Sequence, residues 1–137
     1  MVANTRLATA IQILCVIAHK GEAGTNSQII AKSLRTNPVV VRRLLKAMER
    51  QGLVAIRPGK DGGVQLARPA DRITLDEIHK SVETDARLFA LRPGPNPNCP
   101  VGMRMPGLLA PIFGAADAAV ARTFQQTTLD SLVQTIA

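Results

Sequence analysis

A mainly α-helical fold with one small β-hairpin, closed by a long C-terminal helix, is what the sequence predicts. Three observations carry that reading. Apolar residues recur at spacings of three and four over most of the chain, one glycine-rich hexapeptide separates two short β-rich segments, and a run of prolines precedes a second, strongly apolar stretch. The chain has 137 residues, enough to bury one core and too few for a catalytic domain beside a separate regulatory one. Hydrophobic residues make up 46% and charged residues 20%, which is the usage of a folded chain rather than a disordered one.

The first helix runs from about residue 5 to 19, capped by Asn4 or Thr5, with Leu7, Ile11, Leu14, Cys15 and Ala18 along one side. Arg6 ahead of this apolar stretch looks like the start of a secretion signal. Thr9 and Gln12 interrupt it, however, and no small-x-small cleavage site follows, so it reads as a helix. No other segment is expected to be long and apolar enough to cross a bilayer. Gly21 to Gly24 turn the chain, and Thr25, Asn26 and Ser27 are candidate caps for a short second helix through Leu34, with Ile29, Ile30 and Leu34 facing inward. Asn37 followed by Pro38 starts a third helix, because Asn accepts from the free amides of a helix start and Pro at the first position has no amide to leave unpaired. That helix reaches about Gln51 and ends at Gly52, with Val41, Leu44, Leu45 and Met48 on its core face. Residues 53–57 and 64–68 read as two strands joined by 58–63.

Thr74 and Glu77 form a capping box for a helix through about Glu83, and residues 85–91 extend or repeat that turn. Residues 92–106 contain five prolines and are expected to be an extended connector around Cys99. From Met105 to Phe124 the three-and-four spacing returns on a helix that needs a cover, and residues 127–130 cap a short terminal helix through Ile136. The expected division is therefore 1–84, a connector at 85–106, and C-terminal helices at 107–137.

Helix, short helix, capped helix and hairpin within residues 5–68 is the element order of a winged helix-turn-helix, which sets its third helix into the major groove of duplex DNA. The charge follows the same order. Lys and Arg number 17 against 10 acidic residues, a net charge of +7, and residues 35–72 hold nine of those cations against three acids. The only aromatics are three phenylalanines, which argues against the stacking platforms that hold single strands and favours a duplex partner. Asn37 and Arg43 are candidate donors to phosphates or base edges, and Val39 and Val40 are placed to meet thymine methyls. Arg42 and Lys46 form a basic helix face, Arg57 and Lys60 flank a wing near a minor groove, and Ser27 at the start of the second helix joins them as a DNA-binding residue. The competing reading is that these cations merely solvate a helix face.

Several stretches resemble one known family. They are Ile30-Ala31, the helix end Gln51-Gly52-Leu53-Val54, the wing from Gly59 through Gly62-Gly63-Val64 to Leu66-Ala67, and Ile73-Thr74-Leu75 with Ile78 and Val82-Glu83. In order and spacing they resemble the Rrf-type family of bacterial repressors, and residues 36–43 and 96–102 are similar to its YwnA-like branch. The resemblance covers nearly the whole chain. It implies a homodimeric repressor whose C-terminal dimerisation helices, residues 107–137, cross so that each protomer offers one winged domain to half of a palindrome. Cluster-binding members of the family place three cysteines in the segment corresponding to residues 92–107. Only Cys99 stands there in this chain, so no iron–sulfur cluster is expected.

Two cysteines make neither a disulfide framework nor a four-cysteine metal site, and they point to a reducing, cytoplasmic setting. Asn98 or Cys99 is placed to cap a helix starting at Pro100, where terminal amides stabilise a thiolate. Cys99 is therefore a candidate redox sensor, with packing of the proline-rich loop as the alternative. Cys15 belongs to the core, and His19 and His79 lack metal-ligand spacing, so no metal is expected. A small-molecule effector would have room between the region of Phe89 and the C-terminal helix. No nucleophile–base pair and no phosphate loop is present, which excludes an enzyme. The alternatives to a specific regulator are a nonspecific DNA-binding protein and a winged module that recruits a protein.

Overall fold

The computed structural model describes residues 4–85 and 87–136. Three helices, α1 (Arg6–Lys20), α2 (Ser27–Leu34) and α3 (Pro38–Arg50), precede an antiparallel hairpin of β1 (Val54–Arg57) and β2 (Gly63–Leu66). They are followed by α4 (Leu75–Val82), the long α5 (Pro100–Gln125) and α6 (Leu129–Ile136). The architecture is a winged helix-turn-helix with a long C-terminal helix.

Local chemistry starts each element. Asn26 Oδ1 accepts from the Ile29 amide at 2.9 Å, and Asn37 Oδ1 accepts from the Val39 amide at 2.8 Å. Thr74 and Glu77 close a reciprocal capping box at 3.2 Å in both directions. Thr5 is the residue ahead of α1, yet it is Asn4 Oδ1 that takes the free Arg6 amide, at 2.8 Å. The predicted core face of α3, Val41, Leu44, Leu45 and Met48, is buried against Ile13 and Leu14 of α1, Ile30 of α2 and Ile78 of α4. In the hairpin Val54 pairs with Leu66 and Ile56 with Val64, so Val54 and Val64 face the core while Ala55 and Gln65 face out.

The structure departs from the sequence reading at six places. Ile29 is 45% exposed, and Ala31 takes its inward place, because Ile30, Ala31 and Leu34 share one face of α2 at spacings of one, three and four. The strands are shorter than expected and the second starts one residue earlier. Residues 85 and 87–91 do not prolong α4, because Glu83 leaves it in extended conformation at φ −105° and ψ 126°.

The connector is shorter than 85–106, since α5 starts at Pro100 with Cys99 as its cap, and Pro106 and Pro111 lie inside the helix. Each proline deprives the carbonyl four residues earlier of its donor and crowds it. Those two residues are Gly102 and Gly107, whose backbones adjust at least steric cost. Running through the prolines makes α5 long and apolar enough, by length and composition, to cross a membrane, with a mean hydropathy of 1.2 over 18 residues. That reverses the expectation that no such segment follows the first helix.

Finally, α6 does not stay with α5. Leu129 is fully buried in the core of the winged body, its amide donates to Ile73 O at 2.8 Å, and the Leu75 amide donates to Thr127 O at 3.0 Å.

Candidate nucleic-acid interface

The site is built on the turn between α2 and α3. Asn37 holds the first turn of α3 with its carbonyl oxygen, leaving its amide nitrogen to donate outward. Just beyond it Val39 and Val40 are 49% and 39% exposed, apolar side chains left in solvent beside a helix N-terminus that carries partial positive charge. Arg42, Arg43, Lys46 and Arg50 are all exposed along the same helix, opposite its buried stripe.

The wing is tied to the start of α2, because the Val64 amide donates to Thr25 O at 3.0 Å. Its tip needs glycine at two places. Gly59 has φ +97°, and a Cβ on Gly62 would run into the Arg57 carbonyl. The tip therefore projects Arg57 and Lys60 without bulk around them.

Between the start of α2, α3 and the wing lies a cleft of about 360 Å³, lined by Ser27, Arg42, Lys46, Arg57 and Lys60. Five of the nine predicted DNA-binding residues thus meet around one concavity. Asn37, Val39, Val40 and Arg43 do not line it; they occupy the exposed amino-terminal half of α3. Gln28 lines the cleft as well and was not predicted. Its place one residue after Ser27, exposed on the first turn of α2, was the available signal.

Electrostatics separate this face from the rest of the molecule. Among the described residues, the cations from Arg35 to Lys60 have one carboxylate neighbour, Glu49 at 3.5 Å from Lys46. Elsewhere, among the described residues, four of ten cations are matched at close range, Arg6–Glu83 at 2.9 Å, Arg68–Glu77 at 2.7 Å, Lys80–Asp76 at 2.8 Å and Arg87–Asp85 at 2.9 Å, and the other six are spread over the remaining elements rather than gathered on one face. Burial raises the Glu77 pKa, but hydrogen bonds from Arg68 and the Thr74 amide, with the Arg68 charge, outweigh it and hold the carboxyl below its ordinary value. Hydrogen bonds from Arg87 hold Asp85 at about 2. Positive charge on α3 and the wing is left for a partner to neutralise.

Near the other end of the molecule, Cys99 Sγ accepts from the Gly102 amide at 3.4 Å and so caps α5. The connector folds back over this turn around a cavity of about 460 Å³, between Leu91, Arg92 and Pro95 on one side and Val101, Met105 and Leu109 on the other. At Phe89 itself the ring lies tilted against Phe113, with centroids 5.5 Å apart, and the cavity opens from Leu91 onward. Burial pushes the Cys15 thiol up from its ordinary value, as suits a core residue.

A winged helix-turn-helix whose third helix and wing carry uncompensated positive charge is a DNA-binding transcriptional regulator, and comparison with known proteins agrees. The chain belongs to the Rrf2 family, whose model, described as "Iron-dependent Transcriptional regulator", matches residues 3–135. It is 36% identical over 130 residues to YwnA of Bacillus subtilis (strain 168), a candidate HTH-type transcriptional regulator, covering 95% of this chain and 96% of that protein. A solved candidate DNA-binding protein is 31% identical, with a TM-score of 0.76 over 93% of this chain and 97% of that one. CymR, the global cysteine regulator of Bacillus subtilis, shares the fold at 20% identity, with a TM-score of 0.72 over 98% of this chain and 97% of its own. The protein is a regulator and not an enzyme.

The family's description names iron. The two cysteines of this chain lie on different elements, one packed on the core side of α1 and one at the cap of α5. Among the described residues no three His, Cys, Asp or Glu side chains converge as ligands.

Proposed function

We propose that the protein is a homodimeric, cytoplasmic repressor that binds a palindromic operator, one winged body to each half-site. The observation that carries this is the concentration of cations on α3 and the wing, where seven from Arg35 to Lys60 have one carboxylate neighbour among the described residues. In this reading Asn37 and Arg43 reach base edges or phosphates, Val39 and Val40 meet thymine methyls, and Ser27, Arg42, Lys46, Arg57 and Lys60 hold the backbone. Support for the dimer comes from α5, which has no buried residue and leaves Val101, Leu108 and Ile112 largely in solvent.

The donor set supports regulation without an iron–sulfur cluster. The cavity beside Cys99 is the place we assign to a small-molecule effector. Cys99 is the candidate redox-sensitive thiol, because its sulfur holds the first turn of α5.

Selection of fragmented genomic DNA on purified, reduced protein tests the reading. Recovery of a short palindrome is the expected result. Uniform recovery would establish nonspecific coating of DNA, and no recovery would turn the winged body toward a protein partner.

A further inference from the structure

The turn between α2 and α3 is made by a residue poorly suited to it. Arg35 has φ 54° and ψ 49°, and among the described residues it is the one non-glycine in the left-handed region. Its amide donates to Lys32 O at 3.3 Å and the Thr36 amide donates to Ala31 O at 3.0 Å, the closing pattern that glycine or asparagine forms at a helix end without steric cost. A Cβ in this conformation crowds the following carbonyl, so the turn by itself favours glycine. The arginine side chain therefore has its use outside the turn.

That side chain is exposed, and among the described residues no carboxylate or carbonyl holds its guanidinium, in contrast to Arg6, Arg68 and Arg87. It stands two residues before the Asn37 cap, at the entry to the helix that enters the groove, and it does not line the cleft beside the wing. We propose that Arg35 binds a DNA phosphate at the edge of the groove that α3 enters, and that the strained turn is kept for this contact. Guanidinium suits the task because its planar fork matches two phosphate oxygens. The proposal rests on the DNA-binding reading and adds a contact separate from α3 and the wing.

The test titrates wild type, Arg35→Gly, Arg35→Asn and Arg35→Lys against a mixed-sequence duplex of about 30 base pairs, three helical turns, over a range of salt. Gly and Asn both accept the left-handed turn, so these variants are expected to fold with a Tm no lower than wild type. Each should bind about 5-fold more weakly for every Arg35 engaged at 0.15 M salt, with the slope of log affinity against log salt reduced by about 0.9 per lost phosphate contact. Arg35→Lys keeps the charge and loses the fork, so it should keep the salt slope and part of the affinity. Unchanged affinity and slope in Arg35→Gly would overturn the proposal while leaving the DNA-binding reading intact. An equal fall of the salt slope in the Gly and Lys variants would also overturn it, by showing that the charge is not what acts. A wild type that binds no duplex would overturn both.

Discussion

α3 and α5 are both helices with apolar faces, and they dispose of them in opposite ways. In α3 the stripe Val41, Leu44, Leu45 and Met48 is buried within the chain, and the outer surface carries Arg42, Arg43, Lys46 and Arg50 beside Val39 and Val40. α5 is twice as long, carries Val101, Leu108, Ile112 and Phe113 among its apolar residues, and has no buried residue at all. The first helix completes a body that one chain closes by itself. The second is finished only by another surface, which in the proposed function is a second copy of the same helix.

The widest separation between the two should come from placing the same charge on each. Leu44→Asp puts a carboxylate without a partner into the core, and far-UV circular dichroism should show loss of the cooperative fold. Ile112→Asp lies on a side chain 61% exposed, so the fold should survive while the mass by light scattering falls from dimer to monomer. A mass left unchanged would remove α5 from the dimer interface. A milder version on α3, Met48→Ala, should cost about 2–5 kcal/mol in urea denaturation through the cavity it leaves.

On the basic face of α3 and the wing, Lys46→Ala and Lys60→Ala should each weaken all duplexes by about 5-fold. Arg43→Ala or Val39→Ala should instead change which sequences are retained; equal effects from the two pairs would erase the distinction between backbone and base contacts. Thr74→Ala, remote from both helices' outer faces, should lower stability by about 1 kcal/mol through loss of the capping box.

The smallest expected effect is on pH dependence. Glu77 has a depressed folded-state pKa, so its contribution is complete above the ordinary value of 4.5 and is lost as pH falls through the lower folded value. Stability measured against pH should lose part of that acid-side slope in Arg68→Ala. An unchanged slope would show that the Arg68 pair does not set it.

α3 was legible in the sequence because its signals are local. Asn37-Pro38 starts it, Gly52 follows its end, and four apolar residues at helical spacing choose its face, all within 16 residues of chain. The start of α5 was legible only in part: Asn98 or Cys99 was read as the cap of a helix beginning at Pro100, but the five prolines in 92–106 argued for an extended connector, and the glycines placed four residues before Pro106 and Pro111 speak only once the helix exists. The docking of α6 was hidden for another reason: it depends on the meeting of Leu129 with Ile73, and no local pattern encodes so distant a pairing. At the site, charge and caps picked out α2, α3 and the wing, and Ser27, Arg42, Lys46, Arg57 and Lys60 line one cleft between them. Gln28 could have been read from its place after Ser27, whereas the left-handed Arg35 became visible only from backbone geometry.

Because α6 is translated after α5 yet completes the core around Ile73, the order of synthesis runs against the order of assembly. A nascent chain that has emerged only as far as the wing lacks Leu129 and the strand-like clasp of Thr74 with Thr128, and so has no finished reading head. A protease that cut the connector or α5 would leave Leu129 attached to that head only by its packing and by the hydrogen bonds of Leu129 to Ile73 and of Leu75 to Thr127. The head is thus completed by a segment that the chain reaches only through α5.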